Sequence, residues 1–293
     1  MSIIACPYEV QERAAIYEHD AKMTPEDANK RAMLEYGAVM KTVKHPHIDL
    51  SIIFDEKAHT YTDSKGLSYV SSTTLVKRAF PVFDSRRIAE KISTRDERNV
   101  DEVLAEWEIK RDLACAIGTR THQNAEATIR GEQRPNSPRN EREIALFKLA
   151  KDTALKIKAR YCSKIEAEKI IFSPFYRIAG TIDLLAWSGN DYVILDWKTN
   201  EEIKRENQHQ SGVVFGLEHV QDCDIMRYAM QLSTYEIILR REGYIPDGAK
   251  VKRFLVHLTG DAPVYIETPC MRNEVNAILL EQVCIARLCE GLI

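Results

Sequence analysis

The stretch that most restricts how this chain can fold runs from Ala179 to Asn200, AGTIDLLAWSGNDYVILDWKTN. Two alternating runs rich in β-branched and aromatic residues flank Ser188-Gly189-Asn190-Asp191, and Gly-Asn suits the two central positions of a tight hairpin turn. If those two residues form the loop, Ser188 faces Asp191. Counting along both strands then sets Asp183 opposite Asp196 and Thr181 opposite Lys198. Leu185 and Trp187 continue that face, against Ile194 and Tyr192. The other face pairs Ile182 with Trp197, Leu184 with Leu195 and Ala186 with Val193. It is wholly apolar, which predicts packing on helices. The aspartate face is polar at one end only.

That polar end raises a problem of charge. Two carboxylates across a ladder repel at a cost of up to about 1 kcal/mol. Partial burial raises the cost or forces a proton onto one of them. A divalent cation relieves it, and aspartate oxygens are hard ligands suited to Mg²⁺ or Mn²⁺. Lys198, two residues from Asp196 on the same face, can orient a water or steady a developing negative charge. Carboxylates, a metal and a lysine are the parts needed to hydrolyse a phosphodiester. A bare Asp-x-Lys is more often a solvated ion pair at a strand end. The opposed Asp183 and the one-sided polarity weigh against that reading here.

The remaining pattern predicts an α/β chain with a restriction-endonuclease-like core, a central mixed sheet flanked by helices. Residues 8–44 read as helical, opening at Thr24-Pro25. A hairpin around Asp63-Ser64-Lys65-Gly66 follows, then a short helix capped by Ser71-Ser72-Thr73. Helices are expected over 84–95, 100–130 and from Ser137-Pro138 to about 162. Strands are expected over 165–173, 178–188 and 191–199, and a loose polar loop over 201–222. A helix over 224–242, strands over 251–258 and 263–268, and a helix over 271–290 complete the chain. We read residues 1–100 as a helical and hairpin extension and 101–293 as the core.

With these elements placed, GTID followed by LDWKT resembles the PD-(D/E)xK nucleases, and in particular their RecB-like exonuclease branch. Two further marks of that branch stand in the right order: Gly118-Thr119-Arg120-Thr121-His122 on the helix before the core, and Gln231-Leu232-Ser233-Thr234-Tyr235 on the helix after it. Together the four marks span about 115–240. Ile182 replaces the namesake proline, as is frequent in this branch. The resemblance implies that His122, Asp183 and Asp196, with the Trp197 carbonyl, hold Mg²⁺ or Mn²⁺. Asp183, Asp196, Lys198, Gln231 and Tyr235 would form the catalytic group, the last two bonding a phosphate or bracing Lys198. His122 and Glu126 share a helix face. Glu168 reads as an exposed strand residue, with an acidic contribution to the site as the lesser alternative. Some relatives carry a four-cysteine iron–sulfur cluster. The intervals of Cys115, Cys270, Cys284 and Cys289 lack its Cys-x-x-Cys and argue against one here. Clusterless relatives include the mitochondrial genome maintenance exonuclease and viral and phage exonucleases, which the chain most resembles.

The implied activity is a metal-dependent DNA exonuclease working on single strands or DNA ends in replication, recombination or repair, alongside proteins of those processes. The alternatives are a structure-specific endonuclease and a non-catalytic DNA-binding module on the same fold. The formal net charge of -3 excludes a uniformly basic binder, so contacts to nucleic acid must be local. Lys148, Lys151, Lys156, Lys158 and Arg160 on one helix, and Lys204 and Arg205 after the lysine motif, are the candidates. A second basic helix carries Arg86, Arg87, Lys91 and Arg95. Tyr61, Tyr69, Phe80 and Phe83 are offered for base stacking, against a core role. No apolar run of membrane length or leader pattern is present. The expectation is an intracellular protein without a membrane partner, in a bacterium or a virus- or phage-infected cell, its cysteines mostly reduced and buried.

Overall fold

The computed structural model describes residues 40–56, 58–162, 164–259 and 262–289. Within them lie nine strands and six helices. A four-stranded meander comes first: β1 (Met40–Lys44), β2 (Ser51–Asp55), β3 (Thr60–Asp63) and β4 (Ser68–Ser71). The helix expected over 8–44 therefore does not reach its end, because 40–44 pair with β2. Its start at Thr24-Pro25 lies outside the described residues. Helices α1 (Ser72–Arg78), α2 (Ser85–Asp96), α3 (Val100–Arg130) and α4 (Glu141–Tyr161) follow. Asn99 and Asn140 cap α3 and α4 with their side chains, the role in which Asn satisfies the free N–H groups of a first turn. Asn140 thus replaces the expected start at Ser137-Pro138.

Next come β5 (Ile165–Ser173), β6 (Ile178–Ser188), β7 (Asp191–Lys198), α5 (Asp224–Arg241), β8 (Lys250–Thr259), β9 (Ala262–Glu267) and α6 (Arg272–Cys289). All nine strands join one mixed sheet in the order β1-β2-β3-β4-β6-β7-β8-β9, with β5 paired to β6. One apolar cluster joins β6 and β7 to α1, α5 and α6 through Leu185, Ile194, Leu75, Ile238 and Val275. Another joins Leu184, Leu195 and Trp197 to Ile117 of α3 and Phe147 of α4. Helices therefore cover both faces, the arrangement of a restriction-endonuclease-like core.

The β6–β7 hairpin keeps the expected register from Ser188↔Asp191 to Leu184↔Leu195, and there it stops. Gly189 has φ +60°, as the first central residue of a two-residue hairpin turn requires. Asp183 and Asp196 are the next step of that register, just beyond the last paired residues. Strict alternation fails at the same place. Ile182 packs in the α1–α5 cluster together with Leu185, while Leu184 packs under α3 and α4. Across the other edge, β5 pairs with β6 on both sides of Asp183 but skips Glu168, whose φ is +51°. Ile182 and Trp197 therefore do not share a face as expected.

The first residues of β6 take β4 in parallel, at Val70↔Ile178 and Ser71↔Ala179. β5 occupies one edge of β6 throughout, so β4 and β7 share the other. Between them residues 180–183 have no strand beside them. The sheet has a gap, and GTID lines it.

The segment 201–222 is anchored rather than loose. Ile203, Leu217 and Val220 are buried, and Gly212 and Val213 donate to the Val220 and Ala79 carbonyls. Among the described cysteines, only Cys223 is buried, while Cys115, Cys162, Cys270 and Cys284 are exposed. That corrects the expectation of mostly buried thiols. No described helix is long and apolar enough to cross a membrane.

Candidate active site

The gap in the sheet opens into a cleft of about 390 Å³. His122 from α3, Asp183 from β6, Asp196 and Lys198 from β7, and Gln231 and Tyr235 from α5 all line it. Asp183 Oδ2 accepts the Trp197 N–H at 2.8 Å. That amide is free because the ladder has already ended. His122 Nδ1 lies 3.4 Å from the same oxygen.

Asp196 is 4% exposed. Its Oδ2 forms an ion pair with the Lys198 ammonium, yet it has no hydrogen bond of good geometry. Burial pushes the Asp196 carboxyl up; Lys198 offsets part of this and Asp183 adds to it. Lys198 also sits over the Tyr228 ring at 4.4 Å. Its brace is therefore Tyr228, whereas Gln231 donates instead to Tyr235 Oη at 2.8 Å. Burial, and next the charge on Asp196, hold the Tyr235 phenol well above its ordinary range.

Two glycines explain why the motifs take their form. A Cβ on Gly180 would lie 2.6 Å from Tyr235 Cε1 and 2.8 Å from Ser72 Oγ, so only glycine lets α1 and α5 close on β6. A Cβ on Gly118 would come within 3.2 Å of Thr199 Oγ1. Gly118 thereby allows α3 to approach the end of β7 and present His122 one turn later.

Glu168 is the member of the cleft that the sequence underweights. It lines the cleft with Glu126. Burial first, then Asp183 and Glu126, push its carboxyl up to about 8. It stands across from Asp183, between the pairs Ala167↔Leu184 and Lys169↔Ile182, and has a positive φ. Burial likewise raises the Glu126 carboxyl. Tyr61 also faces the cleft, its hydroxyl 3.0 Å from Thr181 Oγ1.

The donor set fits a hard divalent cation. Aspartate oxygens, one of them short of partners, stand with an imidazole beside them. No three His, Cys, Asp or Glu groups among the described residues are already gathered at ligand spacing.

The basic residues are not brought to this cleft. Lys204 and Arg205 are exposed outside it, and the backbone of Lys204 bonds to the start of α5. Lys148 and Lys151 are exposed on α4, and Lys158 lies against Gly131. On α2, Arg86, Arg87 and Arg95 pair with neighbouring carboxylates. Tyr61, Tyr69 and Phe80 are buried, so they cannot stack on bases, whereas Phe83 is exposed.

A family model of the PD-(D/E)XK nuclease superfamily matches residues 85–284. The chain belongs to this superfamily. Nucleases of the PD-(D/E)XK superfamily generally use divalent metal ions. No curated protein matches the chain. Among solved structures, the chain is similar to a Eubacterium rectale protein described as a "putative exonuclease". The two are 14% identical with a TM-score of 0.37, over 61% of this chain and 68% of that one. So loose a likeness bears no weight for the site of this PD-(D/E)XK chain.

Proposed function

We propose that the chain is a metal-dependent DNA exonuclease, acting on single-stranded DNA or DNA ends in replication, recombination or repair. One observation carries the reading: the gap in the sheet gathers Asp183, Asp196, Lys198 and His122 in one cleft of a superfamily member. The order of the four sequence marks favours an exonuclease within that class.

His122, Asp183 and Asp196, with the Trp197 carbonyl, would hold Mg²⁺ or Mn²⁺. Such an ion, when bound, supplies Lewis-acid polarisation of the phosphoryl oxygens. The remaining work falls to the chain's own groups. Lys198, held by Asp196 and the Tyr228 ring, orients a water for in-line attack on phosphorus and offsets charge as it develops. Tyr235 accepts from Gln231, which leaves its O–H free to donate to a non-bridging oxygen. Because burial keeps that phenol protonated, it stays a donor across the working pH range.

The test uses 5′- and 3′-labelled single strands and duplexes beside a closed single-stranded circle, each with Mg²⁺, Mn²⁺ or chelator. The expected result is shortening of linear DNA from an end, an intact circle, and no reaction with chelator. A cut circle would make the chain an endonuclease. Intact substrates throughout would leave a non-catalytic binding module.

A further inference from the structure

A second concavity lies on the α4 side of the sheet, at the turn end of the β6–β7 hairpin, and its volume is about 1070 Å³. Its walls carry Lys156 and Arg160 from the last turns of α4, and Lys250 and Lys252 from the start of β8. All four are exposed. Lys250 and Lys252 are two apart on a strand and so share a face; Lys156 and Arg160 are four apart on a helix and do likewise. None of the four has a carboxylate partner among the described residues, unlike the arginines of α2. Asp191 is the single acidic residue in the lining. Tyr161 and Tyr265 stand among the cations, with the Arg160 guanidinium 5.9 Å from the Tyr161 ring centre and Tyr265 48% exposed.

We propose that this groove is a second contact site for single-stranded DNA, separate from the cleft that cuts it. The inference rests on the nuclease reading and names how the substrate is held. Four cations match a run of phosphates, and exposed aromatic faces give sequence-tolerant stacking of bases, the combination used by grooves that track a single strand. A rigid sheet sets the separation. Lys198 and Asp191 are the two ends of β7, about 23 Å apart at 3.3 Å per residue.

The experiment measures binding of fluorescein-labelled dT25 by anisotropy in EDTA, where no cutting occurs, over a range of salt. The double variant Lys250→Gln, Lys252→Gln is expected to lose at least about tenfold in affinity for dT25. Its salt slope should fall by about 1.4, two phosphate contacts at 0.7 each. Tyr265→Ala should weaken dT25 by about tenfold, and Lys250→Arg, Lys252→Arg should restore binding. Wild-type affinity and slope for dT25 in the glutamine variant would overturn the proposal. So would a Tyr265→Ala chain that binds dT25 as tightly as wild type, since Tyr265 lines the groove and not the cleft. Hydrolysis enters none of these readings. A chain that binds dT25 through the groove but cuts nothing refutes the proposed function alone.

Discussion

Asp196 and Glu236 are buried alike, 4% and 3% exposed, but their surroundings differ in kind. Glu236 is surrounded by guanidinium groups: it pairs with Arg253, with Arg240 at 2.8 Å and with Arg272 at 3.1 Å. A buried carboxylate treated this way has its charge and lone pairs answered, and it ties α5 to β8 and α6. Asp196 has one ammonium, a second carboxylate near it in Asp183, and an oxygen without a good hydrogen bond. The difference is sharpest on α5, where neighbouring residues serve the two regions: Tyr235 faces the cleft and Glu236 the arginines. A fold able to saturate one buried acid leaves the other short, at the mouth of a cleft. That deficit is the ground on which we propose a cation and a phosphate there.

The largest expected effects come from breaking each region in turn. Asp183→Asn keeps an acceptor for the Trp197 amide but removes a charge, so nuclease activity should fall by about 10³-fold. Its Tm should hold or rise, because a repulsion with Asp196 is gone. Glu236→Gln should do the reverse. It strands Arg253, whose Nε is already buried without a partner, and should cost about 3–5 kcal/mol of stability. Activity per folded molecule should be retained. Urea unfolding and initial rates on the same preparations separate the two outcomes.

A smaller effect sharpens the comparison. Mn²⁺ at a hundred times its dissociation constant stabilises a folded chain by about 2.7 kcal/mol, or roughly 5 °C at this size. Wild type and Glu236→Gln should both show that shift in thermal melts, and Asp183→Asn should not. The smallest expected effect concerns Glu168. Burial, Asp183 and Glu126 push its carboxyl to about 8, against about 4.3 for an unfolded glutamate. Between those values the folded chain keeps a proton that the unfolded chain has lost. The resulting stability is complete below about 4.3 and is lost as pH rises through about 8. Without metal, the Tm of wild type should therefore fall more than that of Glu168→Gln between pH 5 and pH 8.5.

Much of this site was legible in the sequence because it rests on local rules. Gly189-Asn190 determined the turn, the turn determined the register, and the register brought Asp183 and Asp196 to one end. The kink at Glu168 was not legible. It depends on Glu168 adopting a positive φ that no local pattern demands, and the pairing of β5 with β6 is interrupted there. The gap in the sheet was equally hidden. It is made by two pairs between β4 and β6, more than a hundred residues apart in sequence, and strand partners at that distance leave no periodicity to read. The basic residues of α4 could be counted but not placed. Only the structure separates Lys156 and Arg160, which join Lys250 and Lys252, from Lys158, which turns toward Gly131.

The central claim is that the open end of the β6–β7 hairpin hydrolyses phosphodiesters with Lys198 as the cation that meets the developing charge. Single-turnover rates on a linear single strand with Mn²⁺, for wild type and Lys198→Ala, test it most directly. The account predicts a loss of at least about 10²–10³-fold with the oligonucleotide still bound. A Lys198→Ala chain that cuts within a few-fold of wild type would contradict it.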